Sequence, residues 1–159
     1  MTDVLTLDSS LQAHLPPGAR VRYLAPEDAA AVARIAAVLG QSGDPACWRQ
    51  RLDAYGRDWA MSLGVEVDDQ LVAYMVGHID RGQFGLVDET AWLELLGVDP
   101  AWQGRGLARA LAEVLFDQLT ERGVTRLVTM VSAHDDMLRP FFRSMGFRES
   151  QFVWLERRL

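Results

Sequence analysis

The stretch Leu93-Glu94-Leu95-Leu96-Gly97-Val98-Asp99-Pro100, followed shortly by Gln103-Gly104-Arg105-Gly106-Leu107-Ala108, decides the fold. Its first part reads as a strand closed by a proline, which cannot continue a ladder. Beyond the glycines, apolar residues recur at Leu107, Ala110, Leu111, Val114, Leu115 and Leu119, the stripe of an amphipathic helix that Arg122-Gly123 ends. A strand, a glycine turn and a helix start place several backbone N–H groups where an anion can sit. The glycines let a phosphate approach the backbone with no Cβ in the way. The helix end adds about half a positive charge, and Arg105 and Arg109 add whole ones. The turn suits a pyrophosphate.

Two well-known nucleotide cradles do not fit. A P-loop closes with Lys-Ser or Lys-Thr, and this chain has no lysine. A dinucleotide fingerprint needs a third small residue and an acid after the next strand. Counted from Gly104, the third place falls on Arg109, and the strand expected after Arg126 ends without an acid.

What fits is Gln-x-x-Gly-x-Ala at Gln103, Gly106 and Ala108, preceded by a strand ending Val98-Asp99-Pro100. This pattern resembles the GNAT superfamily of acetyl-coenzyme A-dependent N-acetyltransferases. The resemblance continues at Phe141-Phe142-Arg143-Ser144-Met145-Gly146-Phe147, which is similar to the family's late helix ending in Gly-Phe. It covers residues 91–147 and extends back toward Ala19. It implies an α/β fold of mixed α+β type: a central twisted mixed sheet flanked by helices, with strands splayed around the cofactor. It also implies acetyl-coenzyme A, with the pyrophosphate on Gln103, Gly104, Arg105, Gly106, Leu107 and Ala108 and with Arg109 adjacent. The pantetheine arm would lie beside Leu96, Gly97 and Val98. Asp135 stands where the family often has a cofactor-contacting asparagine, and Phe142 where many members have a tyrosine that protonates the departing sulfur. Each has a plainer reading. Gly97 relieves a core clash, and Asp135 caps a helix.

Acetyl transfer from a thioester to an amine needs a neutral amine. A lysine-like amine, with a pKa of about 10.4, is neutral about once in 2,500 molecules at pH 7; an α-amino group, near 7.7–8.0, costs only about 1–1.4 kcal/mol to deprotonate. Glu94, on the strand that would hold the thioester, is the expected general base. The alternative is a salt-bridged strand acid, and Glu66, Asp80, Asp88 and Glu89 stand in reserve. Phe142 has no proton to give, so water or His134 would protonate the thiolate; as a plain reading, His134 is a loop histidine. The function expected is therefore N-acetyl transfer to a primary amine of a peptide, protein or small molecule by direct attack. A non-catalytic acyl-coenzyme A-binding or regulatory module is the alternative. A nicotinamide oxidoreductase is the more distant rival.

Composition sets the bounds. A chain of 159 residues with 49% hydrophobic content suits one domain, residues 19–159, behind a loose leader, 1–18. Net charge is −6, which disfavours nucleic acid and mildly favours a cationic amine. No apolar run reaches membrane length, and the acidic start (Asp3, Asp8) is not a signal peptide. One cysteine, Cys47, precludes an internal disulfide, and His14 and His78 lack ligand spacing, so no metal is expected. The expectation is a cytoplasmic monomer or homodimer.

Along the chain, strands are expected at 19–25, 61–67, 71–79, 91–98, 127–131 and 152–157, and helices at 26–39, 45–55, 107–121 and 136–145. A hairpin is expected at Asp68-Asp69, and 80–90 reads as a loop. Trp48, Tyr55, Trp59, Trp92 and Trp102 read as core, or as lining for an acceptor pocket. The family usually has two strands and a loop after Gly-Phe, and residues 148–151 leave little room for both. The acceptor site should therefore be open, unless a partner copy supplies a wall.

Overall fold

Asp68 and Asp69 turn the first hairpin with φ of 49° and 59°. Both lie in the left-handed region that a two-residue turn of primed type requires, and Asp tolerates it. The hairpin joins β2 (Ser62–Val67) to β3 (Gln70–Arg81). The computed structural model describes residues 4–7, 9–55, 61–82, 85 and 87–159. Trp59 and the side chain of Tyr55, two of the aromatics singled out above, lie outside the described part.

Among the described residues, five strands form one sheet in sequence order. β1 (Arg20–Tyr23) pairs antiparallel with β2, and β4 (Glu89–Val98) antiparallel with β3. β5 (Arg126–Thr129) runs parallel to β4. The connection between them is the helix of the glycine motif, α4 (Leu107–Glu121), as a parallel pair requires. The remaining helices are α1 (Ser9–Ala13), α2 (Ala29–Val38), α3 (Pro45–Tyr55) and α5 (Leu138–Ser144).

Each sheet face has its own core. On one, the α4 stripe (Leu107, Ala110, Leu111, Val114, Leu115, Leu119) packs with Leu63, Val65, Met75 and Leu93. Burying one such leucine stabilises by roughly 1.5–3 kcal/mol. On the other, Val32, Ile35 and Ala36 of α2 and Trp48 and Leu52 of α3 cover Leu71, Tyr74 and Val76. The stop at Gly123 is a Schellman closure: φ is +76°, and the N–H of Val124 donates back to the carbonyl of Leu119 at 2.9 Å.

Three expectations are corrected. The segment expected as a loose leader is packed where it is described: Leu11 and Leu15 are core residues, Leu5 and Leu7 pack against them, and Val4 bridges to Arg22. Leucine spacing over a single short helix is too brief to show as periodicity. The loop expected at 80–90 is shorter, because β3 runs to Arg81 and β4 starts at Glu89, joined by an Arg81–Glu89 ion pair at 2.6 Å. The strand expected at 152–157 is absent. Alternation suits a segment to a sheet, but a strand exists only with a hydrogen-bonding neighbour, and residues 152–159 are exposed with none among the described residues.

Candidate active site

The β3–β4 ladder is out of step at one point. Val76 pairs with Leu95 and Gly77 pairs with Leu93, so Glu94 is one residue in excess on β4, a β-bulge. Gly77 makes this possible: a Cβ there would stand 2.1 Å from the Trp92 carbonyl oxygen. The bulge resets the alternation of β4. Leu93 and Leu96 both belong to the core under α4, whereas Leu95 packs on the α2–α3 side. Glu94 turns to that second side, where His78 stands.

There the carboxylate oxygen Oε1 of Glu94 lies 2.7 Å from Nδ1 of His78, and Oδ2 of Asp80 lies 2.9 Å from Nε2 of the same ring. An ionised carboxylate only accepts, so the imidazole satisfies both acids when both its nitrogens carry hydrogens. Trp92, paired with His78 across the sheet, stacks on the ring at 6.4 Å and 10°. Glu94 is partly exposed, with 32% of its side chain accessible.

The same point opens the sheet. β5 pairs with β4 only over Thr90 to Leu93, ending at Thr129, whose hydroxyl donates to the Leu93 carbonyl at 2.9 Å. β4 continues for five residues, 94–98, and among the described residues no strand pairs with them on that side. Leu96, Gly97 and Val98 therefore lie on the part of β4 that β5 leaves unpaired.

The glycine turn closes one end of that gap. Asp99 caps a short 3-10 turn, Pro100–Trp102, and is held by Arg34 at 2.7 Å, which keeps its carboxyl below the ordinary value. Gln103 donates to the Val98 carbonyl at 3.1 Å. Gly104 and Gly106 have φ of +74° and +79°, and nothing lies within 4 Å of where a Gly104 Cβ would be. Gly106 is the N-cap of α4, and no side chain caps that helix. The first N–H groups of the helix therefore have no side-chain cap at Gly106, and the His14 carbonyl oxygen lies 3.5 Å from where a Gly106 Cβ would be. Arg105 stacks over Trp102 at 4.6 Å, and Arg109 donates to Ser144 at 3.1 Å, tying the turn to α5. An uncapped helix start, two left-handed glycines and two guanidiniums fit a pyrophosphate. Leu107 is buried, so within this group it serves the core, and Ala108 is half-buried.

The other expected site residues lie on α5 and the loop before it. The Asp135 carboxylate accepts from the N–H groups of Met137 and Leu138 at 3.0 and 2.7 Å, the capping arrangement. His134 is exposed on the loop before it. Phe142 is 6% exposed and packs edge-on against Phe141 and Phe147 at 5.2 and 5.0 Å, and Phe147 donates back to its carbonyl in the closure of α5. Gly97 has a purely structural reason: a Cβ would meet the Tyr74 ring at 2.5 Å, and that ring is fully buried, with its hydroxyl 2.5 Å from Gln41. Sequence reasoning missed Gly77 and His78 as site residues and held Asp80 only in reserve as a base. Their one signal was a histidine and an acid two apart in a strand, hence on one face.

Comparison with known proteins places the family. The model of the acetyltransferase (GNAT) family matches residues 27–147. The ribosomal protein bS18-alanine N-acetyltransferase of Salmonella typhimurium is 30% identical over 125 residues, 71% of this chain and 80% of that protein. A mycothiol acetyltransferase from Beutenbergia cavernae is 41% identical over 58 residues, 36% of this chain but only 20% of that protein. The crystal structure of a ribosomal-protein-alanine N-acetyltransferase from Brucella melitensis shares the fold with a TM-score of 0.71 at 21% identity, over 87% of this chain and 98% of that one. A transcriptional regulator from Bacillus halodurans shares it with a TM-score of 0.73 at 14% identity, over 89% and 99%. No helix among the described residues is long and apolar enough to cross a membrane. With a glycine turn at the start of α4, strands that part at Thr129 and a family match across most of its length, the chain belongs to the GNAT acetyltransferase family.

Proposed function

We propose that the protein transfers the acetyl group of acetyl-coenzyme A to the amine of a peptide or protein, with Glu94 as general base. The observation that carries this reading is the position of Glu94, on a bulge at the residue where β4 parts from β5. Acetyl-coenzyme A supplies a thioester whose thiol, with a pKa of about 8.5, makes a good leaving group. The protein's residues supply the rest. Glu94 takes the proton as the amine nitrogen bonds to the acetyl carbon. The carbon–sulfur bond breaks, and water protonates the thiolate, since Phe142 has no hydroxyl and is packed among Phe141 and Phe147. His78 and Asp80 hold the base, and the acids around it draw a cationic amine toward the site.

The acceptor follows from two supports. The Salmonella relative is by name an alanine N-acetyltransferase acting on a ribosomal protein. An α-amino group is also far cheaper to deprotonate than a lysine side chain. The test is turnover of acetyl-coenzyme A with peptides that have a free N-terminus, N-blocked peptides containing lysine, and small amines. Free-ended peptides should react best. Glu94→Gln should lower kcat by about 10²–10⁴ at neutral pH, with partial recovery at high pH as the amine deprotonates unaided. Coenzyme A binding with no turnover on any amine would make the protein a binding module.

A further inference from the structure

The outer edge of β5 and residues 152–159 are two halves of one unmade interaction. β5 is the last strand of the sheet, and among the described residues no strand lies beyond it. Its outer N–H and C=O groups are an open template for another strand. Close after it, Met130 is 68% exposed. The end of the chain has the opposite fault. Phe152, Val153, Trp154 and Leu155 are 51%, 80%, 69% and 89% exposed. A contiguous apolar run of this kind on a protein surface marks a binding element.

Register selects the match. Set antiparallel to β5 with Glu156 opposite Arg126, the segment places Leu155 opposite Leu127, Trp154 opposite Val128 and Val153 opposite Thr129. Phe152 then falls opposite Met130. Opposite charges face each other, aromatic and branched residues form the other rungs, and the exposed methionine meets a ring. A parallel alignment that keeps the apolar rungs Val153–Leu127 and Trp154–Val128 sets Phe152 against Arg126 and Glu156 against Met130, which leaves both charges unpaired, and one that keeps Glu156 opposite Arg126 puts Arg157 and Arg158 against Leu127 and Val128. The complementary register is therefore antiparallel.

The protein's own segment does not arrive that way. It follows β5 through α5, a strand–helix–strand crossover, and such crossovers deliver parallel strands. Phe147 is pinned to Phe142 and packed against Phe116. Only residues 148–151 remain between that anchor and Phe152, too few for an added strand that would reverse the direction. A second copy can supply the antiparallel strand, and a two-fold axis satisfies both edges and both segments at once. At about 150–250 Å² each, the four aromatic side chains at 152 and 154 of two copies account for about half of the 1,200–2,000 Å² a specific interface buries.

We propose that the protein forms a two-fold dimer in which residues 152–157 of each copy add to the β5 edge of the other, with Glu156 paired to the partner's Arg126. Light scattering after size exclusion on the full chain should show a dimer at micromolar concentration. Trp154 is exposed, so Trp154→Asp leaves the fold intact by circular dichroism while yielding a monomer. Arg126→Glu and Glu156→Arg should each raise the dimer dissociation constant about 10-fold, because like charges then face each other twice. The double variant with both substitutions should recover most of that loss. A monomeric wild type at about 100 µM, or a dimer indifferent to Trp154→Asp, overturns the proposal. Charge variants that weaken the dimer without mutual rescue overturn the register.

Discussion

Oε1 of Glu94 lies 2.7 Å from Nδ1 of His78, at the point where β4 carries one residue more than β3 between Leu93 and Leu95. Without the bulge, alternation along β4 would leave Glu94 on the His78 face but carry Leu95 to the α4 face and Leu96 away from it. The residue that accommodates the extra length is Gly77, which sits under the Trp92 carbonyl. The bulge thus sets Leu95 beside Glu94 on one face and returns Leu96 to the core under α4.

From this relationship, His78→Ala should leave the fold intact and lower kcat by about 10–100-fold, the worth of a lost hydrogen bond to a charged group. The pH–rate profile should shift at the same time, which a merely structural histidine would not cause. His78→Gln, which keeps a side-chain N–H donor, should recover part of the rate. Steady-state kinetics from about pH 6 to 10 check this, and an unchanged profile for His78→Ala would remove His78 from the base assembly.

Gly106 has φ of +79° at the start of α4. Gly106→Val forces a branched side chain into a left-handed conformation and over the open N–H groups. Coenzyme A binding measured by calorimetry should fall below detection, while the variant still unfolds cooperatively. Wild-type affinity would move the pyrophosphate away from this turn.

Gly97→Ala places a methyl group 2.5 Å from the ring of Tyr74. It should cost about 1–3 kcal/mol in urea unfolding, the usual cost of overpacking. Combined with Tyr74→Leu, which removes the ring, the two losses should sum to less than their separate values. Strict additivity would show that Gly97 is not there for Tyr74.

Asp28 is the stability switch at low pH. Burial opposes its charge, but the two-pronged contact with Arg22 at 2.8 Å and the N–H of Ala25 outweigh it and hold its pKa below the ordinary value. A depressed carboxyl stabilises above its unfolded pKa, about 3.9, and that stability is lost as pH falls through the lower folded value. Asp28→Asn should therefore cost about 1–3 kcal/mol at pH 7, because Arg22 is buried and loses a partner. The difference from wild type should shrink below about pH 4. Thermal melts at pH 7 and pH 3 measure it, and an equal gap at both would place the linkage elsewhere.

Much of this protein is written in local spacing. The α4 stripe, the stop at Gly123, the two-aspartate hairpin and the left-handed pair Gly104 and Gly106 follow from backbone geometry over a few residues. Their order carried the family, and Glu94 stood out as an acid on the strand beside the turn. What the tertiary structure decided depends on register between distant segments. His78 and Asp80 reach Glu94 through the pairing of β3 with β4, and the bulge beside them is accommodated by Gly77 on the other strand. Gly97 is explained by a ring that packs across the sheet, and Leu11 and Leu15 by a core assembled from residues far along the chain. Residues 152–157 alternate like a strand and yet are not one, because alternation is a property of a segment while a strand is a property of a pair.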